Sequence, residues 1–345
     1  MSLLRSNRTI TAALCLLASA GVSAAAAVGQ VSKAGVPPAA TDTLRIWGDP
    51  AMESVVLALE QRFQRDHPGV RFETKLMGTD TGMPGLYNGK ADLALLGRES
   101  NATESDGFLH TLQYPPLELH LMTGSLDAEA KSYAPVIFVS RNNPLQGLTL
   151  QQLDRVIGCG QPGLDAPART WGDLGLSGAW KDKPIHVYMF DITSGTGVFL
   201  LHKLQGESRK LNWQIIHEFS DTRRADGSTY SAGQQTADAL KSDPYGLAFS
   251  GMHYAFDGIK PLALAVAAGS PLIAATKASL IDGSYPLTRM TYAFVNQAPG
   301  TPVSPLVREF LRFLYSDEGR SVVAGQAGFL PLSSRDAALQ ESRLP

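Results

Sequence analysis

The chain has 345 residues and a formal net charge of −2 at pH 7, from 30 lysines and arginines against 32 aspartates and glutamates. No basic run exceeds two residues, so nucleic acids and anionic membrane surfaces are poor candidates as partners. The length exceeds the roughly 250 to 300 residues at which a single hydrophobic core stops growing. The chain is therefore expected to contain two cores.

The first residues predict an exported protein. Two arginines precede a short apolar stretch at 10–20, and Val22-Ser23-Ala24 fits the small-residue rule for signal-peptide cleavage. The apolar stretch falls short of the roughly 18 to 20 residues that a membrane-spanning helix needs. We therefore predict a signal peptide over residues 1–26, a linker over residues 27–41, and a periplasmic or secreted mature protein. Cys159 is its one remaining cysteine, which excludes an internal disulfide.

From Leu44 onward, short apolar strands alternate with longer helical periods. In the first part of the chain the pattern predicts strands at 43–47, 70–76 and 93–96. It also predicts a helix at 52–66 and a separate short helix that ends at residue 88. In the rest it predicts strands at 136–140, 186–189, 247–250 and 287–295, and helices at 149–157, 194–204, 232–241 and 305–315. This alternation predicts an α/β fold with mainly parallel sheets.

The sharpest local motif is Thr193-Ser194-Gly195-Thr196-Gly197, between a predicted strand and an apolar helix. The start of a helix has free N–H groups and the positive end of the helix dipole, which together bind an anion. Glycine lets the backbone approach closely, and the hydroxyls of Ser194 and Thr196 would add donors. The alternative is that Ser194 is an ordinary helix cap.

Two further turns and an arginine follow the first three predicted strands. These are Gly48-Asp49-Pro50-Ala51-Met52, Gly78-Thr79-Asp80-Thr81-Gly82 and Arg98. In open α/β sheets, ligands bind at the carboxyl ends of strands, where such turns meet. A guanidinium there can fork onto two oxygens of an oxyanion. Turn chemistry alone also explains the two turns, and an ion pair with Glu99 would explain Arg98.

Signatures of catalysis in the sequence are weak. It contains no phosphate-binding P-loop and no H-E-x-x-H motif, and its seven histidines include no i, i+4 pair. We therefore predict that the protein is not an enzyme and holds no cofactor and no metal ion.

Several segments, by their order and spacing, resemble the phosphate-binding proteins of bacterial ABC importers, which have the type II periplasmic binding protein fold. The resemblance runs from about Leu44 to Ser334. It rests on GTDTGMPGLYNGKADLALLGRES, NPLQGLTLQQLDRVIGC, TWGDLG, KPIHVYMFDITSGTG, DPYGLAFSGMHYA, YPLTRMTYAFVN and YSDEGRSVVAGQAGFLPLS.

The resemblance implies two lobes and a ligand between them. The first lobe would comprise residues 42–133 and 250–345, and the second lobe, residues 134–249, would be inserted into it. Hinge closure would bury inorganic phosphate or a similar oxyanion, and the protein, as a monomer, would deliver this ligand to the membrane subunits of an ABC importer. The ligand-binding residues implied by the matching motifs are Asp49, Ala51, Met52, Thr79, Asp80, Thr81, Gly97, Arg98, Ser194, Gly195 and Thr196.

The chain departs from the family pattern at three places. Phe190 stands where an arginine usually precedes the S-G-T serine by four residues, and Gly97 stands where a serine usually precedes the arginine at position 98. The first loop reads Asp49-Pro50-Ala51 instead of offering hydroxyl groups. Hydrogen bonds to a charged group are each worth about 1.5 to 3 kcal/mol, so the departures leave the identity of the ligand open.

Carboxylates in the cleft are compatible with phosphate. Phosphate keeps a proton near neutral pH that a carboxylate can accept, whereas sulfate has none to offer. Asp49, Asp80 and Asp191 are candidates for that role.

Two other functions stay open at this point. The absence of the usual arginine at Phe190 suggests a secreted or envelope interaction protein that kept the fold but not phosphate transport. A phosphate-ester hydrolase using the same cleft is the third hypothesis, although the sequence offers it no clear nucleophile.

Overall fold

The computed structural model of the protein describes residues 43–127, 132–159, 166–205 and 210–344. The predicted signal peptide and linker lie outside these residues. Within the described ranges, no helix is both long and apolar enough to cross a membrane.

Strands and helices alternate along most of the described chain. The strands are β1 (Thr43–Gly48), β2 (Arg71–Lys75), β3 (Leu93–Leu96), β4 (Leu117–Gly124), β5 (Val136–Ser140), β6 (Gly147–Thr149), β7 (His186–Phe190), β8 (Ile216–Phe219), β9 (Thr222–Arg223), β10 (Thr229–Tyr230), β11 (Gly246–Ser250), β12 (Ile259–Pro261), β13 (Ala263–Ala265), β14 (Met290–Val295) and β15 (Phe329–Pro331). The helices are α1 (Glu53–Asp66), α2 (Thr79–Tyr87), α3 (Ala102–Leu112), α4 (Leu150–Ile157), α5 (Gly195–Gln205), α6 (Ala232–Ala239), α7 (Lys277–Ile281), α8 (Pro305–Tyr315), α9 (Asp317–Ala324) and α10 (Ser334–Ser342).

Two larger sheets organise the molecule. The first has the strand order β15-β4-β14-β3-β1-β2, and the second has the order β12-β5-β11-β7-β8. At one end of the first sheet β3, β1 and β2 pair in parallel, and at one end of the second sheet β11, β7 and β8 do the same. The pairs made by β4, β14 and β15 in the first sheet, and by β5 and β12 in the second, are antiparallel.

The α/β fold is as predicted, and each sheet is mixed: a parallel group of three strands is extended by antiparallel strands. Parallel pairs need a crossover connection, usually a helix, between their strands. β4, β5 and β14 lie where the chain passes from one sheet to the other, so no such connection fixes their direction.

Each sheet has its own hydrophobic core, which defines two lobes. The first sheet is covered on both faces, because alternate residues of a strand point to opposite sides. Leu93 and Leu95 of β3 pack with α1 and α8, whereas Ala94 and Leu96 pack with α2 and α3. A separate core surrounds the second sheet and includes Trp171, which is fully buried. This agrees with the two cores expected from the length.

The second lobe contains more of the chain than predicted. β12 pairs with β5, and β13 pairs with β6. Leu280, Tyr285 and Leu287 also belong to the core of the second lobe. The chain thus returns to the first sheet at β14 rather than at residue 250, because β12 forms an edge of the second sheet. We call the segment between β4 and β5 the first crossover, and residues 285–289 the second crossover.

Candidate functional site

A cleft of about 720 Å³ is lined by residues of both lobes and both crossovers. Its lining residues are Asp49, Ala51, Thr79, Arg98, Ser132, Tyr133, Phe190, Asp191, Thr193, Ser194, Gly195, Thr196, Phe219, Ser220, Asp221, Ser231, Ala232, Tyr254 and Arg289.

The structure brings together most, but not all, of the site residues predicted from the sequence. Those that line the cleft are Asp49, Ala51, Thr79, Arg98, Ser194, Gly195 and Thr196. The other four do not line it. Met52 is fully buried in the core of the first lobe, and the Asp80 side chain is 93% exposed. The Thr81 hydroxyl donates to the Gly78 carbonyl, and Gly97 lies against the side chain of Asp49.

Ser194 acts as the cap of α5, the alternative that the sequence left open. Its Oγ accepts a hydrogen bond from the Gly197 N–H (3.0 Å) and donates one to the Asp191 carbonyl (2.7 Å). The single hydroxyl hydrogen is thus already used. The free groups at this helix start are the N–H groups of Gly195 and Thr196, which have no acceptor one turn earlier in the helix.

Arg289, on the second crossover, is the most important lining residue that the sequence did not single out. It is 7% exposed, and its Nη1 donates to Thr196 Oγ1 at 3.0 Å. Its buried Nε has no hydrogen-bond partner, and the guanidinium forms no ion pair with any carboxylate of the described residues. Burial lowers the pKa of Arg289, and the charge of Asp49 partly opposes this effect. Arginine nevertheless stays protonated in proteins, so the cleft contains a buried positive charge without a directly bound anion.

A β-carbon on residue 195 would lie 3.2 Å from Arg289 Nη2. A larger residue there would therefore crowd the guanidinium. The glycine of the S-G-T motif leaves room for Arg289 beside the start of α5.

Arg98 also lines the cleft, but its charge is balanced. Its Nη1 and Nη2 donate to the two carboxylate oxygens of Glu104 at 2.7 and 2.9 Å, and this interaction is the largest cause of the raised pKa of Arg98. Glu104 is itself held in a capping box with Asn101. The closest ion-pair partner is thus Glu104, with Asp80 at 3.4 Å, and not Glu99, which contributes only its backbone carbonyl.

Asp49 links two of the departures from the family pattern. Its Oδ1 accepts a hydrogen bond from the Ala51 N–H at 2.9 Å. Its Oδ2 occupies the space in which a β-carbon of residue 97 would lie, so the aspartate requires glycine at that position. Among the described residues, Oδ2 has no hydrogen-bond donor. Its charge acts on the guanidinium groups of both Arg98 and Arg289.

The carboxylates of the second lobe are already engaged. Asp191 accepts hydrogen bonds from the Thr193 N–H, the Thr193 hydroxyl and the Ser220 hydroxyl, which lower its pKa. Asp221 accepts from the Ala232 N–H at the start of α6, at 2.7 Å. The start of α6 is thus occupied by a carboxylate of the protein, and the available anion-binding groups lie near the start of α5.

The described residues contain no cluster of three or more His, Cys, Asp or Glu side chains that could hold a metal ion. The residues that line the cleft offer hydrogen bonding and charge complementarity. A cation at Arg289, free N–H groups on α5 and one carboxylate with an unoccupied oxygen suit an oxyanion that carries a proton.

One feature of the sequence could have indicated Arg289. It lies within the predicted strand 287–295, where a charged side chain in an apolar run is unusual. The structure begins that strand only at Met290. The Thr288 N–H and hydroxyl both bind the Tyr285 carbonyl and form a turn, which leaves Arg289 at the end of the turn.

Comparison with known proteins shows to which family the chain belongs. A family model described as "PBP superfamily domain" matches residues 34–318. The phosphate-binding protein PstS of Pseudomonas aeruginosa is 29% identical over 338 residues, which cover 96% of each chain.

Solved structures show the same fold. PstS from Borrelia burgdorferi matches with a TM-score of 0.59 at 15% identity, over 84% of this chain and 99% of that one. An ABC-type phosphate transport receptor from Vibrio cholerae matches with a TM-score of 0.54 at 15% identity, over 83% and 99%. The matched family consists of binding proteins, in agreement with the prediction that the protein is not an enzyme. The chain therefore belongs to the PBP superfamily and has the two-sheet α/β fold of type II periplasmic binding proteins.

Proposed function

We propose that the protein is an exported, monomeric solute-binding protein that captures inorganic phosphate, or a closely similar oxyanion, in the cleft and delivers it to an ABC importer. The matching relatives are named as phosphate-binding or phosphate-transport proteins, which supports the ligand class. The signal peptide predicted over residues 1–26 supports export to the periplasm or the outside of the cell.

The observation that carries this proposal is the unpaired charge of Arg289. Burial of an ion without a partner is unfavourable by several kcal/mol, so the side chain stabilises the fold fully only when an anion binds beside it. An oxyanion at this position could accept hydrogen bonds from the guanidinium and from the Gly195 and Thr196 N–H groups. Bonds of this charge-assisted kind are about twice as strong as neutral ones.

Arg289 also accounts for the missing arginine of the family pattern. Phe190 is 3% exposed and packs against Tyr133, with ring centroids 6.2 Å apart. The positive charge that this position lacks is supplied instead from the second crossover. The main reason to favour an interaction protein without a transported ligand is thereby weakened.

Asp49 is the best of the three candidate proton acceptors. Asp191 is saturated by its own donors, and Asp80 is exposed and does not line the cleft. Asp49 lines the cleft and keeps one oxygen without a donor among the described residues. It would accept the proton of phosphate and repel sulfate, which is fully ionised.

Isothermal titration of the mature protein tests the proposal. We expect one phosphate bound per chain, competition by arsenate, and much weaker binding of sulfate. A rise in melting temperature with phosphate should accompany binding, because a ligand that binds only the folded state stabilises it. If phosphate produces neither heat nor a thermal shift, the protein does not have this function.

A further inference from the structure

The inference made here rests on the proposed function and deepens it. We infer that the bound oxyanion also accepts a hydrogen bond from the hydroxyl of Tyr133. The ligand would then bridge the two crossovers, with Tyr133 on the first and Arg289 on the second.

The ring of Tyr133 is held in place inside the cleft. It lies against three other rings, with centroid distances of 6.2 Å to Phe190, 6.1 Å to Tyr254 and 4.9 Å to His253. A side chain packed in this way has little freedom left to lose when a ligand binds. Its hydroxyl can therefore serve as a preorganised donor.

This hydroxyl lacks a partner, unlike the hydroxyls of Tyr254 and Tyr188. Tyr133 lines the cleft, and its hydroxyl makes no hydrogen bond to any residue that the structure describes. By contrast, the nearby Tyr254 hydroxyl accepts from Ser231 Oγ at 2.7 Å, and the Tyr188 hydroxyl donates to Asp243 at 3.0 Å. Because Tyr133 lines the cleft and its hydroxyl has no partner among the described residues, a ligand in the cleft is the natural candidate to bind it.

The charges near the hydroxyl act in opposite directions, and the cation among them is Arg289. A β-carbon on Gly233 would lie 2.5 Å from the Tyr133 oxygen, so this oxygen lies against the first turn of α6. The charge of Arg289 acts on the phenol, and so does the opposing charge of Asp221, which is engaged with the Ala232 N–H. Burial raises the pKa of Tyr133, so the phenol keeps its proton and acts as a donor throughout the physiological range.

Bridging of the crossovers would couple binding to movement of the lobes. Arg289 already reaches Thr196 on α5, so the oxyanion would contact both crossovers and the start of the second-lobe helix at once. A ligand can shift an open–closed equilibrium only through contacts that differ between the two states. A ligand that contacts Tyr133, Arg289 and the start of α5 together would meet this condition if its full set of contacts forms only when the lobes close.

Titration of phosphate into Tyr133→Phe tests the inference. This variant keeps the ring and removes only the hydroxyl, and we expect phosphate to bind about ten-fold or more weakly, as for the loss of one hydrogen bond to a charged group. Tyr188→Phe is the matched control: it removes a tyrosine hydroxyl in the second lobe away from the cleft, and its affinity should equal that of the wild type. Melting temperatures without phosphate establish that both variants fold.

The outcomes separate this inference from the proposed function. If wild type and Tyr133→Phe bind phosphate within two-fold of each other, the inference is wrong and the proposed function stands. An equal loss of affinity in Tyr188→Phe would also overturn it. If the folded wild type does not bind phosphate, the proposed function fails and the inference fails with it.

Discussion

Arg289 Nη1 donates a hydrogen bond to Thr196 Oγ1 across 3.0 Å, and this bond joins the two lobes. The Arg289 carbonyl is fixed to the first sheet by the Gly124 N–H of β4 at 2.8 Å, whereas Thr196 lies in the first turn of α5 in the second lobe. The other half of α5 makes a second contact with the first lobe, from His202 Nδ1 to a Glu99 carboxylate oxygen at 2.6 Å. The helix whose start faces the cleft is thus held at two points by the opposite lobe.

Loss of the His202–Glu99 contact should weaken ligand binding slightly. The pair is largely exposed, with side-chain exposures of 61% and 37%, and such pairs contribute a median of only about 0 to 1 kcal/mol. We therefore expect His202→Ala to bind phosphate roughly two- to five-fold more weakly in a calorimetric titration. Glu318→Gln, which removes the pair with Arg62 inside the first lobe, should bind like the wild type. Unchanged affinity in His202→Ala would show that this contact has no part in closure.

Replacement of Asp49 should change selectivity between phosphate and sulfate. In Asp49→Asn one side-chain oxygen can still accept from the Ala51 N–H, but the amide that replaces Oδ2 donates instead of accepting. We expect at least a ten-fold loss of phosphate affinity at pH 8, together with tighter binding of sulfate, because a repelling charge is gone. Competition titrations with both anions measure the ratio. An unchanged ratio would exclude Asp49 as the proton acceptor.

Acidification below about pH 6.5 should destabilise the folded protein through two histidines. Burial lowers the pKa of both His120 and His253 in the folded state, whereas the unfolded chain takes up these protons near pH 6.5. The neutral imidazoles therefore contribute their full stability to the folded protein above about pH 6.5. This contribution is lost as the pH falls from there towards the lowered pKa values of the folded state.

Urea unfolding at pH 7.5 and pH 5.5 measures this loss. The double variant His120→Asn and His253→Asn should show a smaller difference in unfolding free energy between the two pH values than the wild type. His110→Asn changes an exposed residue of α3 and serves as the control, with the wild-type difference. If the double variant keeps the full pH dependence, other groups are responsible for it.

Helices and strands could be predicted where their signals come from residues close together in the sequence. The predicted helix 305–315 and the predicted strand 93–96 coincide with α8 and β3. Pro305 favours the first turn of a helix, and an apolar run of four residues indicates a buried strand. The predicted start of the helix 149–157 is confirmed, since Thr149 caps α4 in a capping box with Gln152. Each of these features depends on residues close together in the sequence.

Features set by distant residues could not be predicted in this way. The antiparallel direction of β14 depends on its pairing with β3 and β4, which lie far back in the chain. The contact between Arg289 and Thr196 spans 93 positions, and no local pattern encodes it. The relation of Asp49 to Gly97 is of the same kind, since each residue taken alone is an ordinary turn residue.

The most direct test of the central claim is a calorimetric titration of phosphate into Arg289→Met. The claim is that Arg289 supplies the cation that binds the oxyanion, and methionine keeps much of the side-chain length without the charge. We expect at least a hundred-fold loss of affinity, since several charge-assisted hydrogen bonds disappear. Arg141→Met, which removes an exposed positive charge paired with Asp257, should bind phosphate like the wild type. Wild-type affinity in a folded Arg289→Met would contradict the claim.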